Sequence, residues 1–417
     1  MPFHSLTLPN GLQIIGETSP SARSAAVGFF VRTGSRDEEP EVAGVSHFLE
    51  HMMFKGTPRR SALKVNLDFD RIGAKYNAYT SEEFTVYHAA VLPEYLPPVI
   101  DILTDILRPS LRQEDFDTEK QVILEEIDMY DDQPGSAAME SARKIYYAEH
   151  PLGNSVLGSK ESVRSLTREQ IAGYFTKRYG ASNILVAIAG NFAWEPFVAM
   201  VAKASASWEP GECGRTQRQE WPGTGGLHVR TREKVLQEYL LAMAGGPPAN
   251  SMLRYSADTI ALAVGDSYGS RLYWALVDPG LADSADLGYY EYEGNGLVCA
   301  SFTAEPDQTP ENLAILEGIL GEVQEKSITA DELKQAKSKI ASRVVRGSER
   351  PMGRMQAIAS AWSFNNEYRD VDTDMARYDA VTLTEIRSYL DQYPINRMTT
   401  VAFGPLSELN DVTGEAV

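Results

Sequence analysis

Residues Ser165–Phe192, SLTREQIAGYFTKRYGASNILVAIAGNF, read as a capped helix, a short connection and a buried strand ending in glycine. Residues Val381–Leu406, VTLTEIRSYLDQYPINRMTTVAFGPL, have the same plan. Leu166-Thr167 stands opposite Val381-Thr382, Ile171 opposite Ile386 and Tyr174 opposite Tyr389. With small gaps, Asn183 faces Asn396 and Gly190 faces Gly404. A repeat of about 200 residues is far too long for a solenoid unit. It predicts an α+β protein made by internal duplication. Each half would be an α/β sandwich, a mixed but mostly antiparallel sheet with helices packed on it. The 417-residue length also exceeds one ordinary domain.

Composition changes between the repeats. Trp208–Gly226, WEPGECGRTQRQEWPGTGG, has Pro and Gly punctuation and no periodicity, so it reads as an exposed linker. The expected domains are therefore 1–207 and 227–417, on either side of a linker at 208–226. In the first half, residues 5–16 read as strand, Pro-Asn-Gly turn and strand, and Ala25–Thr33 as a further buried strand. Leu63–Ile72 reads as a helix broken by Gly73, and Tyr76–Val91 as a strand pair or one long strand. Leu96–Leu107 and Gln113–Tyr130 are amphipathic helices, and Asp331–Arg346 is the expected counterpart of the second.

The chemistry sits in Gly44–Thr57, GVSHFLEHMMFKGT. At about 100° per residue, His47, Glu50, His51 and Phe54 share one stripe of a helix, with Val45, Phe48, Leu49 and Met52 opposite. Histidines four apart on one face can hold the same metal ion, and neutral imidazole suits zinc. The order H-x-x-E-H inverts the commoner H-E-x-x-H zinc motif. Two surface histidines beside an accidental carboxylate would spell the same five letters. A catalytic zinc usually needs a third protein ligand. The helix 116–130 offers Glu119, Glu125 and Glu126. Glu119 and Glu126, seven apart, share a face, while Glu125 points about 100° away. On that face Glu126 can ligate and Glu119 can serve as an outer carboxylate. A solvated acidic helix is the plainer alternative. Phe54 either walls a substrate pocket or packs in the core. In the second half, Ser256–Leu276 is the expected counterpart of the metal-helix region. It reads GDSYGSRLYWAL where the first half has GVSHFLEHMMF, so no second metal motif is expected.

Together these residues resemble the inverted-zinc-motif metallopeptidases that include pitrilysin, insulin-degrading enzyme and mitochondrial processing peptidase. The resemblance covers essentially the whole chain. It rests on His47-x-x-Glu50-His51, on Glu126 after 74 intervening residues with Glu119 seven before it, and on Asn77-Ala78 in NAYTSEEFTVY. The HPLGNSVLG stretch at His150–Gly158 and the Thr167/Asn183/Gly190 pattern add to it. The resemblance implies a zinc (Zn2+) endopeptidase with His47, His51 and Glu126 as ligands and Glu50 as general base. It further implies that the strand carrying Asn77 and Ala78 receives an extended peptide by main-chain pairing.

One family feature is broken. Members active as a complete unit carry an Arg and a Tyr seven apart, in a pattern like LREKRGLAY. The stretch here is Leu276–Asp283, LVDPGLAD, one residue shorter. Aligned from Ser270-Arg271-Leu272, Val277 stands in the arginine's place; aligned from Gly280-Leu281-Ala282, Leu276 does. Asp283 takes the tyrosine's place. None of these can donate as required, and Arg271, Tyr289 and Tyr290 are off register. The expectation is a zinc-bearing subunit that works as a heterodimer, its partner a homologous chain carrying the Arg/Tyr pair. Two such chains would enclose a cavity and admit only peptides or unfolded segments. A non-catalytic core subunit is the alternative.

The net charge of −19 argues against general nucleic-acid binding, which needs clustered Lys and Arg. No apolar run approaches a membrane span, and residues 1–20 carry no secretory leader. A soluble protein is expected, periplasmic or cytoplasmic. Cys213 and Cys299 form no C-x-x-C pair, which excludes a disulfide framework.

Overall fold

The computed structural model describes residues 1–212, 214–215 and 220–409. It is an α+β structure with two compact units, each built on one sheet. The first sheet holds β1 (Phe3–Thr7), β2 (Gln13–Thr18), β3 (Ala25–Val31), β4 (Lys75–Thr80), β5 (Thr85–Val91) and β6 (Ile184–Gly190). Their spatial order is β1-β2-β6-β3-β5-β4, with β2 and β6 parallel and every other pair antiparallel. The second sheet holds β7 (Gly226–Thr231), β8 (Glu238–Gly245), β9 (Ser284–Tyr292), β10 (Asn295–Ala304) and β11 (Thr399–Gly404). Its order is β7-β11-β8-β10-β9, again with one parallel pair, β7 and β11.

The helices of the first half are α1 (Val45–Met53), α2 (Ala62–Arg71), α3 (Leu96–Ile106), α4 (Gln113–Asp131), α5 (Pro134–Tyr147), α6 (Lys160–Ser165), α7 (Arg168–Arg178) and α8 (Trp194–Ala204). Those of the second are α9 (Arg254–Gly265), α10 (Thr309–Lys326), α11 (Ala330–Ser348), α12 (Pro351–Asn365), α13 (Val371–Ala380) and α14 (Leu383–Gln392). Among the described residues, no helix is long and apolar enough to cross a membrane.

The repeat is visible in the caps. Thr167 and Thr382 each accept a hydrogen bond from the backbone N–H three residues on, at 3.2 Å, and each donates its own backbone N–H in return to a side-chain oxygen of Gln170 or Glu385. Ile171 and Tyr174, like Ile386 and Tyr389, then turn into the core of their own unit. The central strands β3 and β6 are covered on both faces, so they read as unbroken apolar runs, AAVGFFV and ILVAIAG. Val27, Phe29 and Val31 join the larger core with α1, α3 and α7. Ala26 and Phe30 face the other way.

What covers that other face corrects the expected domain division. The first unit comprises Met1–Asp128, Asn154–Thr216 and Val345–Val371, so it includes α12 from the C-terminal half. Met355, Ile358 and Ala359 of α12 pack on Ile15, Ala26, Phe30, Val86, Leu185, Ala187 and Ala189. The second unit comprises Met129–Gly153, Gln217–Val344 and Asp372–Val417, so it includes α5 from the N-terminal half. Ala138, Ala142, Tyr146 and Tyr147 pack there on Leu241, Met243, Cys299, Val401 and Phe403. Each half of the sequence lends one helix to the other half's sheet. The helix α12 is held by charge as well: Arg354 Nε donates to Glu17 Oε1 at 2.9 Å and Tyr368 Oη to Glu17 Oε2 at 2.8 Å, all inside the first unit.

The linker is also narrower than expected. Trp208 is buried, with the Arg108 guanidinium 3.8 Å from its ring. Ser182 Oγ donates to the Gly211 carbonyl at 2.7 Å, and Arg215 is paired with Asp37 at 2.7 Å. These contacts keep the chain on the first unit as far as Arg215. Cys213 lies outside the described residues, and Cys299 is buried in β10.

Chain order makes a third correction, to the alignment inside Ser256–Leu276 and not to that region, which overlaps α9. α9 follows β8 as α1 follows β3, so α9 is the counterpart of the metal helix. The GDSYGSRLYWAL stretch lies after it, at the wide helical turn Tyr273–Val277 that precedes β9, where α2 precedes β4.

Candidate metal centre

The helix α1 is fixed at both ends. At its start, Gly44 takes φ 90°, and a Cβ there would stand 2.6 Å from the Leu157 carbonyl oxygen, so only glycine fits. The buried Glu38 carboxylate accepts from Gly44 N at 2.6 Å and Ser46 N at 2.8 Å, satisfying two of the free N–H groups of the helix start. Burial is the larger influence on Glu38 and pushes its pKa up to about 8, against those two bonds. Along its length, Phe48, Leu49, Met52 and Met53 enter the core, and Phe48 stacks on Phe116 of α4 with ring centroids 5.0 Å apart. That contact brings the two chemistry-bearing helices together.

The polar side of α1 then meets the acidic side of α4. One ligand atom from each of His47, His51 and Glu126 lies within 4.8 Å of the other two. Among the described residues, no other group of three His, Cys, Asp or Glu comes so close. Glu126 Oε2 stands 3.8 Å from His47 Nε2 and 3.4 Å from His51 Nε2. Three donors on a tetrahedral zinc, each about 2.0–2.1 Å from it, would be about 3.3 Å apart. Two imidazoles and a carboxylate are also the right donor types for zinc, so the residues fit the ion. His51 Nδ1 lies 2.7 Å from Glu119 Oε1, which leaves Nε2 as the nitrogen facing Glu126. The His47 Nδ1 is buried without a hydrogen-bond partner among the described residues. Glu125 is exposed and turned away.

The electrostatics of the ion-free cluster suit a cation. Burial, with the charge of His51 beside it, lowers the His47 pKa to about 4. Burial acts on His51 too, but hydrogen bonds to Glu119 and Glu126 outweigh it and push that imidazole up to about 9. Glu126 is held below the ordinary carboxylate range, chiefly by its hydrogen bond with His51. A metal held here would take the place of the proton on His51 Nε2.

Glu50 shares the helix face without joining the ligand triangle. Burial raises its pKa, while Thr80 Oγ1 donates to its Oε2 at 2.6 Å and opposes the rise. Thr80 ends β4, the edge strand of the sheet. Ala78 is buried on the core side, whereas Asn77 is exposed and paired in register with His88 of β5. Phe54 is half-buried against Tyr76 and Tyr87, at centroid distances of 6.2 and 6.4 Å. Sequence reasoning missed Thr80 and Lys55. Thr80 lies two residues past Ala78, the spacing that returns to the same strand face. Lys55 comes four after His51 and its ammonium lies 2.6 Å from Glu119 Oε2.

In the second unit, the Leu276–Asp283 stretch offers no donors. Leu276 is buried in the core and Asp283 accepts a hydrogen bond from Gln237. Arg271 is committed to Glu332, at 2.6 Å from Nε and 2.8 Å from Nη2, and Tyr289 Oη donates to the Pro247 carbonyl at 2.6 Å.

Comparison with known proteins agrees with this description. Residues 13–160 match the model for insulinase, peptidase family M16, and residues 165–340 match that for the peptidase M16 inactive domain. A chain from Streptomyces coelicolor, named an uncharacterized zinc protease, is 32% identical over 415 residues, covering 96% of this chain and 89% of that one. The crystal structure of a protease from Helicobacter pylori superposes with a TM-score of 0.88 at 19% identity, over 96% of this chain and 99% of that one. A crystal structure from Pseudomonas fluorescens, titled peptidase M16 inactive domain, gives 0.87 at 16% identity over 98% and 99%. At those identities the two structures speak for the fold alone. With the full-length similarity to a zinc protease and both halves matched in order, the chain belongs to peptidase family M16, the insulinase family.

Proposed function

We propose that the chain is a zinc-dependent endopeptidase subunit that hydrolyses peptides or unfolded segments. The observation that carries this is the triangle of His47, His51 and Glu126 with Glu50 on the same helix face. His47, His51 and Glu126 would hold the ion. Zinc, when bound, supplies a Lewis acid that draws electron density from a water molecule and from the scissile carbonyl. Glu50 takes the water's proton on its carboxylate and delivers it to the leaving amine nitrogen. Thr80 occupies Glu50 Oε2, which leaves Oε1 for that proton. Substrate would lie extended along the free edge of β4, where main-chain pairing gives affinity with little sequence preference.

The heterodimer belongs to the same proposal. Leu276, Val277 and Asp283 supply no donor for substrate carbonyls, and Arg271 and Tyr289 are already engaged. Missing donors of the oxyanion-hole kind cost about 2.7–4 kcal/mol each, so a homologous partner with the Arg/Tyr pair would restore most of the rate. The same deficit favours a second reading, a non-catalytic assembly subunit. The test is hydrolysis of a mixed peptide pool by zinc-loaded chain, alone and with such a partner, alongside E50Q. The expected result is turnover with the partner, and a loss of about 10²–10⁴ in E50Q with zinc retained. Near-normal turnover by E50Q removes Glu50 from the mechanism. A fully loaded chain inert in both settings supports the assembly subunit.

A further inference from the structure

Glu119 is 2% exposed, and a carboxylate so deeply placed needs a partner for each oxygen. Its Oε1 lies 2.7 Å from His51 Nδ1, and its Oε2 lies 2.6 Å from Lys55 Nζ. We propose that Lys55 is a positioning residue for the metal centre: its ammonium holds Glu119 Oε2, so that Oε1 stays on His51 Nδ1 and His51 Nε2 stays turned to Glu126. This rests on the zinc assignment of His47, His51 and Glu126.

The ammonium is delivered from a fixed backbone. α1 ends at Met53, and Lys55 N donates back to the Met52 carbonyl at 3.1 Å. The Lys55 carbonyl accepts from Arg112 Nη2 at 2.9 Å, just before α4 begins. Arg112 is itself held by Asp115 at 2.6 Å. Gly56 follows with φ 113°, and its carbonyl accepts from Ser110 N at 3.0 Å. A Cβ at that position would come within 2.8 Å of the Arg60 carbonyl oxygen. The turn after the metal helix is thus stitched to the chain that leads into the glutamate helix. His47, His51 and Lys55 come at successive intervals of four, so two ligands and the ammonium fall along one side of α1 and its extension.

An ordinary surface ion pair contributes little, about 0–1 kcal/mol. This pair is lopsided: the Lys55 side chain is 36% exposed, whereas that of Glu119 is 3% exposed. Loss of the ammonium would leave Oε2 buried with no other ion-pair partner among the described residues, and the carboxylate could relieve that only by turning away from His51. Partners of metal-bound histidines typically change metal affinity by 10–100-fold when removed.

The experiment is zinc affinity by competition with a chromophoric chelator, together with the visible absorption of the cobalt(II)-substituted protein, which reports ligand geometry directly. K55M is compared with K55R, which keeps the cation, and with K64M, which removes an exposed lysine of α2. K55M should bind zinc about 10-fold more weakly, the lower end of that range, with an altered cobalt band. K55R and K64M should resemble wild type in both. If K55M folds poorly, K55Q carries the same expectation. Wild-type zinc affinity and an unchanged cobalt band in K55M or K55Q overturn the proposal and leave the zinc assignment standing. A wild-type chain that takes up neither metal overturns the zinc assignment and this inference with it.

Discussion

α1 and α9 occupy equivalent places in two related units, α1 after β3 and α9 after β8, each ahead of the strand pair that follows, yet they treat polar groups in opposite ways. Polar side chains around α9 answer one another. Arg254 donates to Glu291 at 2.7 Å, Arg254 and Arg377 reach Tyr255 Oη at 2.8 and 3.1 Å, and Tyr378 donates to Asp258 at 2.7 Å. Around α1, one carboxylate stands between two imidazole nitrogens and a buried His47 nitrogen goes unpaired. The same scaffold therefore carries a closed network in one unit and an open donor set in the other. An unsatisfied cluster costs stability unless something arrives to complete it, which is how a cation site differs from a structural knot.

The sharpest way to break this contrast is to disable a residue on each side. H47A or E126Q should abolish the expected complement of about one zinc per chain, whereas D258N and E125Q should leave it intact; elemental analysis decides. Zinc loss in E125Q with retention in E126Q would undo the helix-face assignment. Next in size is R354M, which strands the buried Glu17 carboxylate under α12. Removing one member of a buried pair costs about 3–5 kcal/mol, and urea denaturation should show that loss. A smaller effect concerns Glu38, the carboxylate at the start of α1. Its folded pKa of about 8 lies above the ordinary 4.5, so between those values the folded chain holds more protons than the unfolded one. This contribution to stability is complete below about pH 4.5 and falls as pH rises through about 8. E38Q, compared with wild type in metal-free protein, should lose that slope in a series of melts. The smallest expected effect tests what the units share. T167A and T382A each remove a cap of the same geometry and should each cost about 1 kcal/mol; very different losses would show that the repeat is no longer energetically equivalent.

The candidate metal cluster was legible in the sequence because its members are close in chain or related by helical period. His47 and His51 lie one turn apart, and Glu119 and Glu126 two turns apart on one face. Capping boxes at Thr167 and Thr382 exposed the duplication for the same local reason. Thr80 was not legible, because its bond to Glu50 depends on where β4 lies against α1, a tertiary fact. Lys55, although four past His51, lies beyond the end of α1 at Met53, and its pairing with Glu119 of α4 is a tertiary fact of the same kind. The exchange of α5 and α12 left no local trace at all. Nothing in the residues of either helix says which sheet it covers.

That exchange has a consequence for the birth of the protein. During synthesis the six strands of the first sheet are complete once Gly190 has been made, but the helix that covers their second face ends at Asn365. At roughly 5–20 residues per second, the ribosome leaves Ile15, Phe30, Val86 and Leu185 exposed to the cytosol for on the order of ten seconds or more. The first half cannot mature ahead of the second, and a message truncated at the linker would yield a fragment whose sheet keeps a bare apolar face. The order of the protein's folding is thus set by α12, near the end of the chain, rather than by its first strands.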